Sequence, residues 1–143
     1  MAQSNQHQIT HLIEELHRLF PKHPCPSGSL NVLSNSSGPD VEDDLSIISG
    51  RYWEDVCAED FRLHFEIPCW LSSSAFHYYL PSIIKASLVE LLQKGRLDAT
   101  DLVVDYVASS YDANGDAWQT FSPPQFEIVT SWLLLLKSRH SSQ

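Results

Sequence analysis

Asp112, Asn114 and Asp116, in the string Asp-Ala-Asn-Gly-Asp, stand where a calcium-binding loop carries its first, third and fifth ligands. The turn glycine due at the sixth position is Ala117 and the bidentate glutamate due at the twelfth is Pro123, so the string reads as a polar turn that needs no ion. His7 and His11, four apart, and the run His23-Pro24-Cys25 offer metal donors, but neither has third and fourth ligands at zinc spacing. Nucleophilic catalysis needs a Ser or Cys beside a His that a third group orients. Ser72, Ser73 and Ser74 sit where a helix wants cap hydroxyls, and Cys57 or Cys69 with His64 or His77 are residue types with no spacing that joins them. There is no Gly-x-Ser-x-Gly elbow, and Gly28, Gly38, Gly50, Gly95 and Gly115 are scattered singly, which leaves no phosphate-cradling loop. The sequence predicts no enzyme activity, no cofactor and no metal.

The remaining chemistry is charge. Eighteen Asp and Glu against nine Lys and Arg give a net charge of -9, which repels polyanions and argues against nucleic acid as a partner. Residues 1–38 are neutral, Glu14 and Glu15 balancing Arg18 and Lys22, so the whole excess lies beyond them. Asp40, Glu42, Asp43, Asp44, Glu54, Asp55, Glu59 and Asp60 face only Arg51 within their window, and Asp98, Asp101, Asp105, Asp112 and Asp116 have no basic residue among them. One reading is a solvated acidic face that keeps the chain dissolved. The sharper reading is a docking surface for a basic protein partner, since clustered charge speeds encounter and rejects wrong pairings. The competing expectation is a small-ligand or enzymatic pocket around His77, Tyr78 and Tyr79.

These groups need a frame. A chain of 143 residues fits one domain with a core that needs no metal or disulfide, and Cys25, Cys57 and Cys69 form no paired framework. Ile9, Leu12, Ile13, Leu16, Leu19 and Phe20 make a helical stripe over 8–20. Pro21, Pro24 and Pro26 end it, and a flexible Pro/Ser-rich loop over 21–40 is expected to precede a helical core over 41–138. In that core Trp53 and Val56 have helical spacing, while Leu63, Phe65 and Ile67 alternate as a short strand would. Ser72 to Ser74 open a helical stretch whose axis should kink or restart at Pro81 and which Gly95 should stop; Asp98 should cap the next helix, through Leu102, Val103, Tyr106 and Val107. Ser122-Pro123-Pro124-Gln125 announces a last helix on Phe126, Val129, Trp132, Leu133 and Leu136. The expected fold is mainly α, a single-domain irregular bundle of four to five helices, with a short strand pair near 61–67 as an option. No apolar run approaches membrane-spanning length, so the expected setting is cytoplasmic without a membrane partner.

Trp53, then Ala75-Phe76-His77-Tyr78-Tyr79-Leu80-Pro81, then Phe121-Ser122-Pro123-Pro124-Gln125, resembles a family of small uncharacterised bacterial proteins over about residues 45–137. That family carries no assigned activity. Small acidic proteins of this kind look like the immunity partners of bacterial toxins, and the resemblance implies a non-enzymatic inhibitor that occludes a basic toxin, such as a nuclease, with carboxylates in place of phosphates.

Overall fold

The computed structural model describes residues 2–110 and 116–141. The chain runs through α1 (Ala2–Leu19), α2 (Leu30–Leu33), α3 (Pro39–Ser46), a 3-10 turn (Trp53–Asp55), α4 (Ala58–Leu63), α5 (Ile67–Trp70), α6 (Ser73–Lys94), α7 (Asp101–Ser109), α8 (Asp116–Gln119) and α9 (Pro123–Ser141). The mainly α architecture agrees with the pattern of apolar spacing, and the described residues form no strand, only an isolated antiparallel bridge between Ser34 and Leu71. The strand option near 61–67 is corrected. Alternating residues of a strand share a face, yet Ile67 is buried while Leu63 and Phe65 are exposed, because Leu63 closes α4 and Ile67 opens α5. No helix is long and apolar enough to cross a membrane among the described residues.

The central element is α6, against which α1, α2, α4, α7, α8 and the 3-10 turn all pack. A helix surrounded in this way has to be apolar on every side, and Ala75, Phe76, Tyr79, Leu80, Ile83, Ile84, Leu88 and Leu91 are all buried. The Ser72 hydroxyl caps its start by accepting the Ala75 N–H at 3.3 Å, and Gly95 ends it in the left-handed region at φ 73°. Of the kink or restart expected at Pro81, the restart does not occur, for α6 is one helix of 22 residues. Proline removes its own N–H and so leaves the His77 carbonyl without its helical donor, a cost near 3 kcal/mol. Complete burial of Leu80, Ile83 and Ile84, at about 1.5 to 3 kcal/mol each, outweighs it.

Asp98 does not cap α7. No side chain caps α7 at Thr100; the turn leading into it is held by Glu90 of α6, a carboxylate only 3% exposed, which accepts the N–H groups of Asp98, Ala99 and Thr100 at 3.1, 2.8 and 2.9 Å and the Thr100 hydroxyl at 2.6 Å. The start of α9 is a reciprocal capping box: Gln125 Oε1 accepts the Ser122 N–H at 3.0 Å and Ser122 Oγ accepts the Gln125 N–H at 3.3 Å.

The segment over 21–40 is held to this frame at several points. Trp53 Nε1 donates to the Pro21 carbonyl at 3.2 Å, Tyr78 donates to the Lys22 carbonyl at 2.7 Å, and the Ser72 N–H and hydroxyl reach the Leu33 and Val32 carbonyls. Tyr79 Oη lies 3.0 Å from the Ile48 carbonyl and 2.8 Å from that of Arg51. The Trp and Tyr-Tyr elements behind the sequence resemblance thus act as ties between the irregular N-terminal half and the central helix.

Candidate functional site

Two regions concentrate the residues singled out from sequence. The first is a cleft of about 400 Å³ between the proline-rich segment and α6, lined by Phe20, Pro21, Pro24, His77, Tyr78 and Gln125. His77 leans edge-on against Phe121 at 4.4 Å, and its Nε2 lies 3.3 Å from Gln125 Oε1, so a carboxamide rather than a carboxylate orients the ring. Gln125 is itself fixed, donating from Nε2 to the Leu19 carbonyl at 2.9 Å. Tyr79, grouped with His77 and Tyr78 from sequence, does not line this cleft; it is buried, and its hydroxyl is spent on the Ile48 and Arg51 carbonyls. Burial pushes the Tyr78 phenol up to about 12 and that of Tyr79 higher still. Cys25 borders the cleft, but its thiol donates to the Arg51 carbonyl at 3.3 Å.

The second region is the carboxylate surface, and the structure divides the acids into two classes. Five have local partners. Asp44 accepts Trp70 Nε1 at 2.9 Å and sits 2.8 Å from His64 Nδ1. Glu54 faces His17 at 3.4 Å, Glu59 pairs with Arg62, and Asp60 pairs with Arg51 while accepting the Cys57 N–H. Asp98 is held between Arg62 at 2.9 Å and Lys94 at 2.7 Å. The Arg62 bond, then that of Lys94, keeps the Asp98 carboxyl down at about 2. Burial works against ionisation of Asp60, but the Cys57 N–H and Arg51 hold its carboxyl below the usual range.

Asp40, Glu42, Asp43, Asp55, Asp101 and Asp105 form the other class, exposed and without a cation in ion-pair contact among the described residues. Asp112 lies outside the described residues, and so does the side chain of Asp116. On α3, Glu42 turns toward a shallow pocket it shares with Leu30 of α2, whereas Asp44 faces α5 through Trp70. Both α3 and α7, which carry all of these open acids but Asp55, pack against α5.

Large apolar side chains are exposed on α4, on α7 and in the turn between α4 and α5. Leu63 is 71% exposed and Leu102 57%, and Phe65 and Tyr106 are also open to solvent. Val103, Val104 and Val107 supply the buried stripe of α7, so Leu102 and Tyr106, one turn apart, are displaced to its outer face beside Asp101 and Asp105. The signal was present in the sequence, because α7 carries two apolar stripes and a short helix packed on one side can bury only one.

A third grouping was not legible from spacing: donor atoms of Asp43, Asp44 and His64 lie within 4.8 Å of one another. Both Asp44 oxygens are committed, to the imidazole and to the Trp70 indole, so this is a knot joining α3, the end of α4 and α5 rather than a ligand set. Compared with protein-family models, curated protein sequences and solved structures, the chain finds no match in any of the three.

Proposed function

We propose that this chain is a non-enzymatic binding protein whose acidic face receives a basic protein, most concretely an inhibitor that covers the cationic cleft of a bacterial toxin such as a nuclease. The observation that carries the reading is selective pairing. Arg62, Lys94 and Arg51 neutralise Glu59, Asp98 and Asp60, while Asp40, Asp43, Asp101 and Asp105, on helices packed against α5, are left open. Exposed charge of one sign contributes little to folding but raises the rate of encounter with a cationic surface, and it weakens as salt shortens the screening length to about 10 Å near 0.1 M.

The test is co-purification with the product of an adjacent toxin gene, followed by affinity measured across a salt series. The expected result is binding that falls steeply with salt and is lost in a variant carrying Asp40→Lys, Asp43→Lys, Asp101→Lys and Asp105→Lys. Affinity indifferent both to salt and to these reversals would refute the electrostatic mechanism. The cleft of about 400 Å³ beside His77 and Tyr78 favours a second reading, a small-ligand protein. A metabolite retained on purification and released by His77→Ala would support it.

A further inference from the structure

The exposed apolar side chains and the open carboxylates occupy the same group of packed elements. Six large apolar residues are exposed among the described residues, and four of them, Leu63, Phe65, Leu102 and Tyr106, belong to α4, α7 and the turn joining α4 to α5. These elements are fastened together: Arg62 of α4 bonds Asp98 just before α7, and Tyr106 of α7 lies beside the Cys69 thiol of α5. Glu66, Asp101 and Asp105 edge this patch without a cation in ion-pair contact among the described residues, and Arg62, the basic residue of α4, is already shared between Glu59 and Asp98.

From this juxtaposition we infer that the α4–α5–α7 face is a docking site for a basic amphipathic helix of another protein. Its apolar residues seat on Leu63, Phe65, Leu102 and Tyr106, and its Lys and Arg meet Glu66, Asp101 and Asp105. The inference rests on the acidic-binding reading above and adds where the partner sits and what else it must carry. Charge selects the occupant. A second copy would bring the same carboxylates against Asp101 and Asp105, and an anionic lipid surface would be repelled by a chain of net charge -9. A cationic helix satisfies both the rim and the apolar centre, and groove-bound amphipathic helices present anchors one turn apart, which is the spacing of Leu102 and Tyr106.

The probe is a synthetic Leu/Lys peptide of about five helical turns, compared with an oligolysine of equal charge and with a Leu/Glu peptide of the same apolar pattern. The expected result is that the Leu/Lys peptide binds at least about tenfold tighter than oligolysine and perturbs backbone amide resonances over residues 63–69 and 101–109. Leu102→Ser and Phe65→Ser should each weaken it several-fold, with unchanged melting temperature and unchanged affinity for oligolysine. Asp101→Asn with Asp105→Asn should weaken both cationic probes and flatten their salt dependence. Equal affinity for the Leu/Lys peptide and oligolysine, or indifference to Leu102→Ser and Phe65→Ser, overturns the docking site and leaves the acidic-binding reading intact. Failure of both cationic probes at low salt overturns the acidic reading and this inference together. Equal binding of the Leu/Glu peptide, or self-association in sedimentation that Leu102→Ser abolishes, overturns the choice of occupant.

Discussion

Replacing Glu90 by glutamine should cost this protein about 3 kcal/mol at neutral pH. The carboxylate is only 3% exposed and collects four donors, three of them backbone N–H groups at the approach to α7. Glutamine keeps the shape but offers one oxygen. Placed to keep the three contacts of Oε1, its amide NH2 points at the Ala99 N–H that Oε2 accepts at 2.8 Å, leaving a buried donor unsatisfied at about 1 to 3 kcal/mol. The other three bonds lose their charge assistance, which is roughly half their strength. With an unfolding entropy near 2.1 cal/mol/K per residue, a chain of 143 residues has about 0.3 kcal/mol/K, so the melting temperature should drop by about 10 °C. The pH dependence is a second check. Burial disfavours the ionised Glu90, but the bonds from Thr100, Asp98 and Ala99 prevail and hold its carboxyl below the usual range. A lowered folded pKa means the stabilisation is complete above the unfolded value near 4.3 and fades as pH falls through the folded one. The difference between wild type and Glu90→Gln, from urea melts, should therefore be constant from pH 7 to about 5 and shrink below it. A difference under about 0.5 kcal/mol at pH 7, or one independent of pH down to acid unfolding, would refute the assignment of Glu90 as the anchor of the turn leading into α7.

Other consequences follow from single contacts. Ser87→Ala removes the oxygen that accepts the buried Trp132 Nε1 at 2.9 Å and should lower stability by about 1 to 3 kcal/mol in urea unfolding followed by tryptophan fluorescence. Tyr78 and Tyr79 have folded phenol pKa values raised above 10.0 by burial, so their contribution is intact below pH 10 and is lost as pH climbs toward 12. Tyrosinate absorbance should show these two of the five tyrosines ionising only with unfolding, and Tyr79→Phe should reduce the alkaline loss of stability. Gly95→Ala meets no atom within 4 Å but forces alanine to a φ of 73°, and should cost about 1 kcal/mol in thermal denaturation.

How far the sequence discloses this molecule depends on whether the deciding interaction is local. The Ser72 cap, the Gly95 stop and the Ser122–Gln125 box involve residues within four positions of one another, and all three are found as their spacing implies. Pro81 misleads because its local cost is overridden by burial from six surrounding elements, a quantity that no window along the chain contains. The start of α7 misleads for a related reason: Asp98 has the right residue type, but Arg62 and Lys94 claim its carboxylate, and the turn into the helix is held by Glu90 from the previous helix. For the candidate site, the acidic windows were visible, whereas their division into paired and open carboxylates depends on contacts such as Arg62 to Asp98, thirty-six positions apart.

That division also bears on how α7 would work as a binding element. Asp101, Leu102, Asp105 and Tyr106 project from a helix of only nine residues, too short to hold its shape alone in water. Three constraints fix it: Val103, Val104 and Val107 against the core, Glu90 on the backbone at its start, and Asp98 clamped by Arg62 and Lys94. Such anchoring settles the exposed stripe before any partner arrives and removes ordering entropy from the cost of association. Glu90→Gln, a change in a buried side chain whose hydrogen bonds go to Asp98, Ala99 and Thr100 and not to Asp101, Leu102, Asp105 or Tyr106, should weaken the Leu/Lys peptide along with the fold, at a temperature where the variant is still fully folded. Equal affinity in wild type and variant under those conditions would show that the face does not depend on the buried carboxylate beneath it.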